Sequence, residues 1–121
     1  MHNEESILSI DEYGTKQWRN KDRVLHRIDG PAIEYTNRDK EWHKNGKLHR
    51  IDGPAVEYGN GNKAWWQNGK LHRIDGPAVY NGELKQFYLR GEYFKTKEAF
   101  FEALTPEEKE IALFSEAFLN A

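Results

Sequence analysis

An octet with the sequence Leu-His-Arg-Ile-Asp-Gly-Pro-Ala occurs three times in the chain, at 25–32, 48–55 and 71–78. Successive copies begin 23 residues apart, and a fixed period in this range indicates stacked supersecondary units that bury a shared core. The chain has 121 residues, which is enough for one domain. We therefore expect a single repeat-built domain in which any role of the octet is present three times.

The segments between the octets predict β-hairpins. In the second full unit, Ala55–Tyr58 alternates in polarity, a Gly-Asn-Gly turn follows at 59–61, and Lys63–Gln67 is rich in aromatic residues. Asn68-Gly69 then supplies a dipeptide that strongly favours a two-residue hairpin turn. We expect two strands per unit, with the octet as a compact connector. The predicted fold is mainly β, a single-layer antiparallel sheet of tandem hairpin repeats.

The two ends of the chain differ from the repeats. Residues 1–12 are an acidic segment that we expect to start the sheet, and the hairpin repeats occupy 13–94. Residues 95–121 have a helical pattern, with Thr105-Pro106-Glu107-Glu108 as a capping box. We expect a C-terminal helical pair that covers a sheet face or the open edge. The alternative is that the stripe of Ile111, Phe114 and Phe118 docks on a partner or on a second copy.

Composition restricts the class of protein. The chain has no cysteine, which excludes disulfides and thiolate chemistry and favours a cytoplasmic location, the host cytoplasm for a phage-encoded chain. No segment has the roughly 20 apolar residues of a membrane span, and residues 1–12 do not resemble a signal peptide. The net charge is −2, but residues 13–94 hold 15 basic against 10 acidic residues. This basic middle permits an anionic partner without requiring one.

The octet histidines His26, His49 and His72 raise the question of a metal site or of catalysis. Equivalent positions two strands apart are roughly 10 Å from each other, too far to share one zinc ion. If Asn45-Gly46 closes a two-residue turn, Trp42 lies opposite His49. The same register pairs Trp65 with His72, and Phe87 with Phe94. We therefore expect a packing role for the histidines, with no metal, no cofactor and no catalytic residue.

Each octet also contains an arginine and an aspartate, of which Arg50 and Asp52 are one example. Asp before Gly is common in turns, and we expect the arginine of one unit to pair with the aspartate of the next. The functional alternative is a row of arginines that binds carboxylates or phosphates through the planar guanidinium group.

Asn45–His49, the glycine-containing connector, Ala55–Tyr58 and the Gly59–Gly61 turn together resemble the MORN (membrane occupation and recognition nexus) repeat. The resemblance covers roughly residues 9–94. The chain is also similar to bacterial repeat proteins described as antitoxins and to phage and large-virus proteins with tandem repeats of this octet type. The resemblance implies a sheet used for protein contacts, and in some members for phosphoinositide lipids. The chain departs from the MORN pattern at Arg50–Pro54, where small glycine spacers are usual.

These observations predict a non-enzymatic protein-binding scaffold, a phage or bacterial accessory protein that inhibits or sequesters a host protein. Trp, Tyr and Arg dominate interface hot spots, which selects the candidate partner surface: Trp42, Trp65, Trp66, Tyr88, Arg50, Arg73, His49 and His72. The alternative is single-stranded nucleic acid or a nucleotide-like ligand on a basic, aromatic sheet face, because a lysine lies two residues before each aromatic. Self-association through the sheet edge or the C-terminal helices is a further possibility.

Overall fold

The computed structural model describes residues 5–121, and residues 1–4, which begin the acidic segment, lie outside the described residues. The described chain is mainly antiparallel β with short helices at its C-terminal end, as predicted. The strands are β1 (Ile7–Ile10), β2 (Lys16–Arg19), β3 (Ile33–Glu34), β4 (Lys40–Glu41), β5 (His43–Lys44), β6 (Lys47–Leu48), β7 (Val56–Glu57), β8 (Lys63–Ala64), β9 (Trp66–Gln67), β10 (Lys70–Leu71), β11 (Val79–Asn81), β12 (Leu84–Leu89) and β13 (Glu92–Phe94). The helices are α1 (Lys97–Ala103), α2 (Pro106–Leu113) and α3 (Glu116–Leu119).

Most strands belong to one nine-stranded sheet in the order β1-β2-β3-β4-β7-β8-β11-β12-β13. The pairs β3–β4, β7–β8 and β11–β12 are antiparallel hairpins, one from each octet-led unit. The prediction of two strands per unit is therefore confirmed for this sheet. Consecutive hairpins lie side by side, since β4 pairs with β7 and β8 pairs with β11.

Besides the nine-stranded sheet there are two separate two-stranded sheets, β5–β6 and β9–β10. After β4 the chain passes Trp42, and β5 pairs with β6 across the Asn45-Gly46 turn; β9 and β10 do the same across Asn68-Gly69. Asn45 and Gly46 have φ angles of 51° and 82°, which is the two-residue turn with both central φ angles positive that Asn-Gly favours. The sequence therefore encodes both the turn and its position.

Backbone hydrogen bonds join each octet to the following unit. The Arg27 N–H donates to the His43 carbonyl at 3.2 Å, and the Gly46 N–H donates to the Leu25 carbonyl at 2.8 Å. The same pair of bonds recurs from Arg50 to Trp66 with Gly69 to Leu48, and from Arg73 to Tyr88 with Gly91 to Leu71. The octets are therefore held in equivalent positions relative to the sheet.

The C-terminal helices pack on the last hairpin around Phe100, which is 0% exposed. The core cluster consists of Phe87, Leu89, Phe100, Leu104, Ala112 and Phe118. The predicted capping box at Thr105 and Glu108 is present. The predicted second helix is divided, because α2 ends before Phe114 and Ser115 caps α3. Phe118 is buried whereas Phe114 is 91% exposed, so the predicted stripe does not form one face.

Candidate binding surface formed by the octets

The octet arginine is the centre of a cluster that recurs in each unit. The Arg50 guanidinium carbon lies 3.9 Å from the centroid of the Trp42 ring, a cation–π contact. Its Nε donates to Asp52 at 3.1 Å, and its Nη1 donates to the Pro54 carbonyl and to Glu57, both at 3.0 Å. The Arg50 side chain therefore connects Trp42, which lies between β4 and β5, with the bend of the octet and with Glu57 of β7.

The other units contain the same cluster with small differences. Arg27 lies 3.8 Å from the Trp18 ring and Arg73 lies 3.9 Å from the Trp65 ring. Their Nε atoms contact Asp29 at 3.1 Å and Asp75 at 2.8 Å. The sequence-based expectation of an arginine that pairs with the aspartate of the next unit is thus wrong. The bend of the octet brings each aspartate back to the arginine two residues before it.

The octet glycine leaves the space that the arginine occupies. A Cβ placed on Gly53 would lie 2.9 Å from the Arg50 guanidinium carbon, and one on Gly30 would lie 2.9 Å from that of Arg27. These distances are below the contact distance of carbon atoms. Any residue larger than glycine would therefore displace the guanidinium group from its position on the tryptophan.

The octet histidines bind the turn of the following unit. The Asn68 N–H donates to Nδ1 of His49 at 2.9 Å, and the N–H groups of Asn45 and Arg90 donate to His26 and His72 at the same distance. A ring nitrogen can accept only when it carries no proton, so each bond requires Nδ1 to be unprotonated.

The predicted cross-strand register of the histidines is confirmed. The His49 N–H donates to the Trp42 carbonyl at 3.0 Å, the His72 N–H donates to the Trp65 carbonyl at the same distance, and Phe87 pairs with Phe94. However, arginine covers the tryptophan ring, and the histidine ring reaches the next turn instead.

Two of these histidines have perturbed pKa values. Burial, followed by the positive charge of Lys44, lowers the pKa of His49 below its ordinary value of 6.5. Burial and Arg90 lower the pKa of His72, whereas Glu108 of α2 acts in the opposite direction. Both shifts favour the neutral ring that accepts the hydrogen bond from the turn.

A groove of about 700 Å³ lies between the first and second octets. It is lined by Arg27, Ile28, Asp29, Gly30, Pro31, Trp42, Lys44, His49, Arg50, Ile51 and Asp52. Of the predicted partner surface, this groove brings together Trp42, His49 and Arg50. We call it the octet groove.

The remaining predicted residues lie elsewhere. Trp65 and Arg73 line a separate groove of about 450 Å³ beside Tyr80. Trp66 lines a third groove of about 540 Å³ with Leu48 and Leu71. The other two predicted residues are His72, which accepts a hydrogen bond from the Arg90 turn, and Tyr88, which packs on Tyr93 with ring centroids 5.3 Å apart. The predicted set is therefore spread over several surfaces.

The octet isoleucines Ile28 and Ile51 are exposed residues that were not predicted as part of the partner surface. Ile28 is 60% exposed and Ile51 is 70% exposed, and both line the octet groove. A usable signal was present, because an isoleucine between arginine and an Asp-Gly turn is an apolar residue within a polar connector. Its exposure was not evident, since nothing in the sequence says which way a connector residue points.

Among residues 5–121, no group of three or more His, Asp or Glu side chains is arranged to hold a metal ion. No helix in the same range is long and apolar enough to cross a membrane. Comparisons of the chain with protein-family models, with curated proteins and with solved structures find no match. The resemblance to MORN repeats and to antitoxin-like repeat proteins therefore stays a prediction.

Proposed function

We propose that the protein is a non-enzymatic protein-binding scaffold that uses the octet groove as a contact surface. The observation that carries this proposal is the exposure of Ile28 and Ile51, both of which line the groove. Apolar side chains of this size on a preformed concave surface are typical of sites that a partner covers. The finer role, an accessory protein that inhibits or sequesters a host protein, is part of the same proposal.

The contacts of the polar octet residues support a scaffold rather than an enzyme. The arginines are bound to Trp, Asp and a carbonyl within their own unit, and the histidines accept hydrogen bonds from the next turn. A catalytic group must be available to a substrate, whereas these groups are used to fix the repeat. The same contacts recur in every unit, as a structural role requires.

Nucleic-acid binding is less well supported by the arrangement of charges. Three of the four lysines that lie two residues before an aromatic alternate with glutamates across the sheet: Lys16 pairs with Glu34, Glu34 with Lys40, Lys40 with Glu57, and Glu57 with Lys63. The fourth, Lys85, pairs with Tyr80. This alternation does not provide the continuous basic track that a phosphate backbone favours. Cross-strand pairing with glutamate therefore accounts for the first three lysines of the pattern.

The test is affinity capture from nuclease-treated host lysate with the wild-type protein, the Ile28→Glu/Ile51→Glu variant and a Leu84→Glu control. Leu84 is exposed and lies outside the octets. We expect one host protein to be retained in stoichiometric amount by the wild type and the control, and lost by the double variant. Retention that is unchanged in the double variant would remove the octet groove as the contact surface. Retention of nucleic acid alone, lost steeply as salt rises, would favour the alternative function.

A further inference from the structure

The third octet is covered by the chain's own helix α3. Ser115 Oγ donates a 2.7 Å hydrogen bond to the Asp75 backbone carbonyl. A Cβ placed on Gly76 would lie 3.0 Å from the Cβ of Ala117, so the alanine methyl group lies directly over the glycine. Ile74 packs against the core cluster that the helices form. The octet thus contacts the α3 segment through a carbonyl and a glycine, and its isoleucine packs against the core cluster of which Phe118 is a member.

The first two octets leave the same surface open. Ile28 and Ile51 are exposed, whereas Ile74 is half-buried. The Asp52 side chain is 87% exposed, whereas that of Asp75 is 42% exposed. Gly76 is buried, and Gly53 is not fully buried. The residue types are identical in all copies, so the difference comes from the C-terminal segments that cover the third octet and not from the octet itself.

The internal geometry of the octets is also the same. Arg50 and Arg73 have equal distances of 3.9 Å to Trp42 and Trp65, and both donate to the carbonyl of the octet proline. The backbone bonds to the next unit recur as well. A surface that fits a short helix at the third octet is therefore repeated, in the same conformation, at the second.

We propose that the first and second octets bind a short amphipathic helix of a partner protein in the way that the third octet binds α3. This inference rests on the proposed function and specifies the class of partner. The partner helix resembles Ser115–Phe118, with a hydroxyl for the octet aspartate carbonyl, a small residue over the glycine and a large apolar residue at the position of Phe118.

The charge of the octet groove favours an acidic residue in the partner helix. Lys44 lines the groove, and the equivalent position in the next unit is Gln67, 23 residues later. The groove between the first two octets therefore has a positive charge that the next unit lacks. An acidic residue in the first turn of the partner helix, as Glu116 is in α3, is favoured both by Lys44 and by the helix dipole.

The probe for this proposal is a synthetic peptide of residues 105–121, which keeps the capping box and the Ser115–Phe118 pattern. It is titrated into the full-length, isotope-labelled protein and followed by NMR. We expect saturable shifts of the Ile28, Gly30, Ile51 and Gly53 amides. A peptide with Ala117→Leu binds at least about tenfold more weakly, a loss of about 1.4 kcal/mol, because leucine does not fit over the glycine.

Variants of the protein locate the site. Ile28→Glu/Ile51→Glu lowers the affinity for the peptide by at least about tenfold, and Leu84→Glu leaves it unchanged. All three side chains are exposed, so the substitutions leave the fold intact. Chemical shifts away from the substituted positions verify this for each variant.

Three results would overturn the proposal. The first is equal binding of the Ala117→Leu peptide, and the second is equal binding by the double variant. The third is a set of shifts restricted to Ile74 and Gly76, which means that the peptide has only replaced α3 on its own octet. If the peptide fails but capture of a host protein still depends on Ile28 and Ile51, the proposed function stands and its partner is not such a helix. If neither depends on them, both proposals fail.

Discussion

The two ends of the repeat array differ in what covers them. At the C-terminal end, α1, α2 and α3 pack on β12 and β13 and bury Phe87, Phe100 and Phe118 in one cluster. At the N-terminal end, β1 is the edge strand of the nine-stranded sheet, and its Ile7 and Ile10 side chains are exposed. The array is thus capped by helices on one side and ends in an apolar strand on the other.

The middle units and the C-terminal end are stabilised by different interactions. The middle units contain small buried residues such as Ala32, Ala55 and Ala78, each 0% exposed, and are held by backbone bonds and by the arginine–tryptophan contacts. The large buried aromatic side chains belong to the C-terminal cluster. Because burial of apolar area is the dominant favourable term in folding, we expect the C-terminal end to be the most sensitive to substitution.

The largest effect is expected for Phe100→Ala. Phe100 is fully buried and its ring centroid lies 4.7 Å from that of Phe87. Removal of a buried phenylalanine ring lowers the free energy of unfolding by about 3–5 kcal/mol, which urea denaturation measures. Phe114→Ala, at a 91% exposed position of the same helical region, is the control and changes it by less than about 0.5 kcal/mol. Equal effects of the two variants would contradict the described cap.

A smaller loss of stability is expected when an octet glycine is replaced by alanine. Its size should differ between the uncovered second octet and the third octet, which α3 covers. Gly53→Ala displaces the Arg50 guanidinium only, whereas Gly76→Ala displaces that of Arg73 and also meets Ala117 of α3 at 3.0 Å. We expect a loss of about 1 kcal/mol for Gly53→Ala and of about 2–3 kcal/mol for Gly76→Ala in urea denaturation. Equal losses would mean that α3 moves away without a penalty and does not hold the third octet.

Much of this architecture could be predicted from the sequence because local signals agree with the repeat. The Asn45-Gly46 dipeptide specifies a turn that fixes the register of the adjoining strands. The 23-residue spacing then gives the length of each unit, and the three octet copies give the number of octet-led units. The capping box at Thr105 marks the start of α2. These signals are encoded within a few residues of the structure that they determine.

The contacts of the octet could not be predicted in the same way. Arg50 was expected to pair with the aspartate of the next unit. Instead, the bend at Asp52–Pro54 brings Asp52 and the Pro54 carbonyl of its own octet within hydrogen-bond distance of Arg50. Ile51 is exposed, whereas the identical Ile74 packs against the C-terminal core cluster, whose helices begin only at Lys97. Identical octets have different surroundings, so no local pattern distinguishes them.

The pKa values of His49 and His72 compare the uncovered second octet with the third octet, which lies beside the C-terminal helices. Glu108 of α2 raises the pKa of His72 against the lowering effects of burial and Arg90, and it does not act on His49. Glu108→Gln, which can keep the capping box, is therefore expected to lower the pKa of His72 and to leave that of His49 unchanged. NMR titration of the two imidazole rings measures both. A shift of both rings would indicate a general effect on the fold.

The same shifts predict how stability depends on pH. The folded pKa values of His49 and His72 lie below the unfolded value of about 6.5, so the unfolded chain binds more protons at intermediate pH. Stability from the neutral rings is present above pH 6.5 and is lost as the pH falls from there through the folded pKa values. His49→Gln/His72→Gln has no ring to titrate. We expect a weaker fall in urea stability than in the wild type between about pH 7 and 5.5.

The smallest effect on stability is expected at the uncovered edge. Ile10 of β1 is exposed, so Ile10→Lys changes the free energy of unfolding by less than about 0.5 kcal/mol. A lysine on an edge strand opposes pairing with another chain, and we expect it to lower any concentration-dependent association in sedimentation experiments. Ile111→Lys, at an exposed position of α2, is the matched control. If the control lowers association and Ile10→Lys does not, copies meet through the helices, and the helical cap, not the open strand, is the associating end.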